Sequence, residues 1–418
     1  MLPEWPRDDL AQRVGRALDA AEAAVGLLLD REPELDLNQL ETSPDKVVAE
    51  TAFLLRAVSS IPETVAPTVT DRVPQLVQQL IPHARGDRVR AAIALRPALA
   101  RDFAVAHVSL SAAGWPDPSL DRLLARSLAD PASAGRERQP HRELEQIWID
   151  RLRGENAPTA ETLARTALGT GIDLLAGNRD DVYALTHSII YATDFGASTS
   201  LPRQAAEVVC EVRSALAGAL DDDDFDLAGE LLLTWPLLGS SWDAISSFAF
   251  AVLCRIEDEV GVLPSLAIDG EGYRQQPAGA RREYFAATTY HTAYVMGLLC
   301  ASILRSTRRP TTARHDSAAS AELVGSLISE LGRDDHRTEW EGDLELLPLD
   351  QCRSLAPLLL DVAVRRAVRR LDLEAVRRTL AAGLQGRIPS TPVAVQAARL
   401  LKRLAEEHAP SQIAGQQV

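Results

Sequence analysis

Apolar residues recur along this chain every three or four positions, segment after segment. Leu120, Leu123, Leu124 and Leu128 lay one apolar stripe along a helix, and Val362, Ala363, Ala367 and Val368 lay another. The period predicts helices over 8–29, 44–60, 69–81, 87–112, 118–129, 140–153, 159–176, 180–195, 203–219, 225–235, 241–260, 281–305, 318–331, 353–370, 372–385 and 391–408. No window alternates with period two long enough for a strand. Thr159, Asp181, Ser241 and Thr391 stand where N-caps belong, and Gly177, Gly196, Gly239 and Gly386 where helices end. Pro131–Gln139, Ala267–Ala280 and Ser306–Ser317 have no apolar face and read as surface loops. The fold class is therefore all-α.

Some helices repeat. DDVYALTHSIIYATDFG (Asp180–Gly196) and DDFDLAGELLLTWPLLG (Asp223–Gly239) share an acidic turn, one helix and a terminal glycine, and start 43 residues apart. LDLEAVRRTLAAGLQG (Leu371–Gly386) follows the same plan more loosely. That period suits a helical hairpin, the unit of solenoids and of closed α/α toroids. The stretch SSFAFAVLCRIEDEVGVLP, a loop, then REYFAATTYHTAYVMGLLCASIL resembles the outer and inner helices of α/α-toroid cyclases. The strings ERQPHRELEQIW, YALTHSIIYATDFG and TTYHTAYVMGLLCA resemble segments of uncharacterised actinobacterial all-helical proteins. The resemblance implies a toroid or curved solenoid and supplies no activity. A short polar turn at Gly154–Pro158 divides the chain into an N-terminal helical subdomain, 1–155, and a hairpin domain, 156–418.

Charge removes some partners. The 44 basic and 59 acidic side chains leave a net charge of −15, against a nucleic-acid or anionic-membrane surface. Among the basic residues only Lys46 and Lys402 are lysines, a skew that fits GC-rich coding of the actinobacterial kind. Tyr284–Leu304 lacks charged residues and is long enough to span a bilayer, but its three threonines, serine and histidine suit a buried helix better. Cys210, Cys254, Cys300 and Cys352 are widely spaced, so buried free thiols in a reducing cytoplasm are expected. The N-terminus carries no signal-peptide pattern.

Candidate chemistry lies in three places. His187, Tyr191 and Asp194 fall on one stripe of a helix beside Tyr183, where His187 would be a base and Tyr191 a proton donor if the stripe lined a cavity. An ordinary amphipathic helix would instead show this stripe to water. His291 and Tyr294 sit on a helix apolar nearly all round, which buries the imidazole as a lumen base, a metal ligand or a satisfied core residue. Arg138, His141 and Arg142 open a third helix and could bind an anionic group of a substrate. The run Asp221–Asp226 satisfies both acidic motifs of terpene cyclases, as four consecutive aspartates would, and a helix-capping turn explains it equally. No Walker A, dinucleotide fingerprint, GxSxG or HExxH is present.

The expected function is acid–base chemistry of the cyclase or lyase type in a helical cavity, on a small-molecule or peptide substrate. The setting would be a tailoring step of actinobacterial specialised metabolism. No cofactor is assigned from the sequence, nor any metal. The alternative is a non-catalytic helical-repeat protein that binds a peptide or partner in a groove.

Overall fold

A computed structural model describes residues 5–29, 44–155, 157–198, 201–310, 319–332 and 338–407. Helices make up 74% of it, and no strand occurs among the described residues. Single residues account for several departures from the expected boundaries. The stretch 87–112 is two helices, Asp87–Leu95 and Ala100–Ala112, because Pro97 cannot continue the first and opens a short 3-10 turn. The helix expected over 159–176 is two short ones, Ala160–Arg165 and Ala167–Thr170, and Gly171, at a φ of 70°, ends the second. Asn178, not Asp181, is the N-cap of Arg179–Thr193, and Asp181 completes the capping box. Asp243, not Ser241, caps Ala244–Val260. The segment expected to be a loop at 267–280 contains the short helix Gly270–Gln275. The loop expected at 306–317 falls partly outside the described residues.

Six helices form a closed cycle of neighbours. In chain order they are Pro44–Ser59, Ala100–Ala112, Pro140–Leu152, Arg179–Thr193, Phe225–Leu237 and Arg281–Arg305. Each packs on the next, and Arg281–Arg305 closes the cycle against Pro44–Ser59. Side-chain contacts fix the directions. Glu145 meets Tyr191 and Trp148 meets Asp194, both at a separation of 46 residues. Arg179 meets Asp224 and Thr186 meets Glu230, at separations of 45 and 44. Asp226 meets His291, and one turn on Gly229 faces Val295. Thr51 meets Tyr294 and Leu54 faces Gly297. A nearly constant separation means parallel helices, so at least five members of the cycle run the same way. Parallel neighbours need a return, and Ala205–Asp221 and Ala244–Val260 pack on the Phe225–Leu237 helix in that role.

One apolar core extends from Trp5 to Ala397. The division expected at residue 155 falls between two adjacent members of the cycle, Pro140–Leu152 and Arg179–Thr193. The N-terminal helix Arg7–Leu29 lies along the Arg281–Arg305 helix. Buried Arg13 ties it to the Ala244–Val260 helix through Glu257, Asp258 and the Cys254 carbonyl. No described helix is long and apolar enough to cross a membrane, and Arg281–Arg305 is instead enclosed by other helices. The four cysteines are free thiols; Cys254, Cys300 and Cys352 are buried, whereas Cys210 is exposed, contrary to expectation.

Close approach of three helices depends on Gly297. A methyl group there would overlap Ala17 and sit 3.0 Å from Leu54 Cδ1. Gly297→Ala is expected to lower stability by about 1–3 kcal/mol from overpacking, more than the roughly 1 kcal/mol that helix propensity returns. Gly325, also helical, has open space at the same position, so Gly325→Ala should stabilise instead. Urea unfolding of both variants reads the opposite signs, and equal signs would refute the close-packing account.

A buried carboxyl makes a second prediction. Asp361 accepts hydrogen bonds from Ser214, at 2.5 Å, and Thr391. Burial outweighs these bonds and pushes Asp361 up to about 7. A raised carboxyl stabilises the fold fully only below its unfolded pKa, near 4, and loses that contribution as pH rises through about 7. Asp361→Asn should therefore gain on the wild type by about 1–3 kcal/mol between pH 4 and pH 8, read as the difference between two urea-unfolding series. A difference that stays flat with pH would refute it.

Candidate functional site

The cycle leaves a central cavity of about 390 Å³ with contributions from all six helices. Its wall is mixed: Phe53, Ile190 and Leu233 stand beside Glu50, Arg142, Glu145, Tyr183, His187, Tyr191, Glu230 and His291. The stripe on Arg179–Thr193 therefore turns inward. Its other face is also covered, with Leu185 and Ile189 fully buried, so this helix has no solvated side along its second half.

His187 is buried, and its Nδ1 lies 3.0 Å from the Tyr183 carbonyl. That oxygen can only accept, so Nδ1 carries the proton and Nε2 is the ring's acceptor. Desolvation, reinforced by the Arg142 charge, pushes His187 well below its usual value and keeps it neutral. Tyr191 donates to Glu145 Oε1 at 2.8 Å, and Arg142 donates to Glu145 Oε2 at 3.1 Å. Burial and then the Glu145 charge raise the Tyr191 phenol, which keeps its proton.

Across the cavity, His291 donates from Nδ1 to Asp226 Oδ1 at 2.7 Å, and its Nε2 lies 3.5 Å from Glu50 Oε1. Desolvation opposes the imidazolium, but Asp226 and Glu50 overcome it and raise His291. The same pairing, with Arg179 on Asp226 Oδ2 at 2.6 Å, holds Asp226 low despite its burial. Glu230 accepts from Thr186 at Oε2, 2.6 Å, and lies 3.7 Å from His187 Nδ1. Burial and the Asp226 charge push Glu230 up. Tyr290 lies beside Glu50, yet its hydroxyl and Glu50 Oε2 are both buried outside hydrogen-bond geometry.

Of the residues singled out from sequence, His187, Tyr191, His291, Tyr294 and Arg142 line one cavity. Tyr294 is held by Thr51 at 2.8 Å. Asp194 does not reach the cavity. It ends its helix in a left-handed conformation, φ 48°, and accepts from Trp148 Nε1 and Arg56. Arg138 is committed to Asp102 and the Ala98 carbonyl. His141 stands behind His187, with 6.3 Å between ring centres. Only Arg142 of that trio reaches the cavity.

The acidic run divides. Asp221 and Asp222 turn to Arg366 and Arg369, Asp224 caps its helix, and Asp226 alone goes to His291. A shared diphosphate-binding face is therefore absent from it. Glu50, Asp226 and Glu230 were not chosen from sequence. Asp226 and Glu230 did leave a signal: they are the only charges in the apolar helix FDLAGELLLTWPL, one turn apart. Glu50 left none, since its helix is amphipathic in the usual way.

No curated protein and no solved structure matches the chain. One family model does, over residues 14–301, a stretch that holds the cavity residues named above and ends in the last turn of the His291 helix. The chain thus belongs to the family described as a domain of unknown function, DUF6895.

Proposed function

We propose that the protein is an enzyme of the lyase or cyclase type that moves protons on a small organic substrate enclosed by the helix cycle. One observation carries this reading: His187 and Tyr191, one turn apart, present a neutral imidazole and a protonated phenol to the same cavity. His187 is the base, because its Nδ1 proton is spent on Tyr183 and Nε2 remains the acceptor. Tyr191 is the acid: its hydroxyl, which donates at rest to Glu145, itself braced by Arg142, turns from that carboxylate to give its proton to the substrate. The volume suits a small molecule rather than a peptide chain, and a lining drawn from all six helices of a closed cycle sets this reading ahead of a partner-binding groove.

The arrangement we infer is an α/α toroid whose inner layer is the closed cycle. The parallel course of at least five of its members and the 43-residue sequence repeat support it. Within the same proposal, the protein serves a tailoring step of specialised metabolism. Its arginine-biased composition and its lack of nucleotide, nicotinamide and serine-hydrolase motifs support that setting.

A base of this kind exchanges acidic C–H protons even when turnover is incomplete. Wild-type protein incubated in D2O with a panel of small carbonyl compounds is expected to deuterate or convert at least one, followed by mass and proton NMR. His187→Gln and Tyr191→Phe should each lower that rate by about 10²-fold or more, with helical circular dichroism retained. A panel left untouched, or variants as active as the wild type, would count against the proposal.

A further inference from the structure

The wall formed by Glu230 and His291, with Asp226 bonded to His291 behind it, has a chemistry that the acid–base pair does not use. Asp226, Glu230 and His291 each offer a ligand atom, and these atoms all lie within 4.8 Å of one another. We propose that they bind one divalent transition-metal ion. One observation beyond their proximity points to a cation. Glu230 is a carboxylate with only 5% of its side chain exposed, and the hydrogen bond it accepts, from Thr186, goes to Oε2. Its Oε1 is left to the cavity that Glu230 lines. A carboxylate oxygen buried without a donor costs free energy that a cation would recover.

The supporting groups are arranged as a metal site requires. Two of the ligands have their remaining oxygen held by a separate residue, Asp226 Oδ2 by Arg179 and Glu230 Oε2 by Thr186, and His291 Nε2 faces Glu50 Oε1 at 3.5 Å. A carboxylate behind a ligating imidazole fixes its orientation and raises its basicity, and ligating carboxylates are themselves hydrogen-bonded. Binding would place the ion at His291 Nδ1, and the proton now shared with Asp226 leaves to solvent. One imidazole and two carboxylates suit Mn²⁺, Fe²⁺ or Zn²⁺, and a tripod leaves coordination positions open toward the cavity. An ion there would polarise a carbonyl or hydroxyl of a substrate facing His187.

The test needs no substrate, so its outcome is separate from that of the proton-exchange screen. Full-length protein is stripped with a chelator and titrated with Mn²⁺ and, separately, Zn²⁺ by isothermal calorimetry, with the bound metal counted after dialysis. We expect one equivalent per chain, with protons released to the buffer. Asp226→Asn and Glu230→Gln should each weaken binding at least about 10-fold. Glu145→Gln, a cavity carboxylate on the other wall, should leave it unchanged. A wild-type readout covers the case in which the ligand variants fail to fold: Co²⁺ should give a visible d–d spectrum, and paramagnetic shifts on the His291 imidazole in ¹⁵N-histidine NMR. Overturning results are binding of neither ion, binding kept by both ligand variants, binding lost equally in Glu145→Gln, or no paramagnetic effect at His291.

Discussion

Charge held inside a low-dielectric wall is the constraint on which the rest of this molecule depends. A buried carboxylate costs several kcal/mol unless donors or cations meet it at bonding distance. Here each such group is met, at least in part, from a neighbouring helix. Arg179 reaches across to Asp224 and Asp226, Thr186 to Glu230, Asp226 to His291, and His291 to Glu50. Slipping one helix by a turn, about 5.4 Å, would strand a charge on either side of it. Apolar packing at Gly229 and Gly297 brings the helices close, but it tolerates more adjustment than a bond of 2.7 Å does. Polar contacts between members of the cycle therefore set its register.

That arrangement explains what could be read from sequence. Helices were legible because burial imposes a 3.6-residue period whichever neighbours supply the burial. The repeat was legible because parallel neighbours in the cycle meet the same demand at a nearly constant separation, as the pairs from Glu145–Tyr191 to Thr186–Glu230 do. Finer boundaries were not, since Pro97 and Gly171 act on one or two residues beneath the resolution of a periodic pattern.

The site was half legible, for a reason that lies in the inside-out polarity of the cycle. Amphipathicity alone directs the His187 stripe to water, and nothing within residues 179–193 says that water has been replaced by a cavity. His291 was readable because its helix is apolar on every side, so its one imidazole had to be internal. Asp194 shares the stripe by spacing, but its left-handed backbone and its bonds to Trp148 and Arg56 take it below the cavity. Glu50 could be recognised only from its partner His291, which lies far along the chain. A carboxylate becomes unusual through what surrounds it, and surroundings contributed by distant segments are invisible to local pattern.

The order of the cycle also constrains how the protein is made. Five of its six junctions join helices that follow one another along the chain, so they can form as synthesis proceeds. The sixth joins Pro44–Ser59 to Arg281–Arg305, and the N-terminal helix waits for the same late partner. Until residue 305 has left the ribosome, a seam of apolar surface and several carboxylates stands open to water. Closing the 243-residue loop from Thr51 to Tyr294 costs more chain entropy than the shorter junctions do, and exposed seams of this kind are what chaperones bind. The cavity is thus completed by a single, late, long-range event, and any truncation before the His291 helix yields a chain with a gap in its wall.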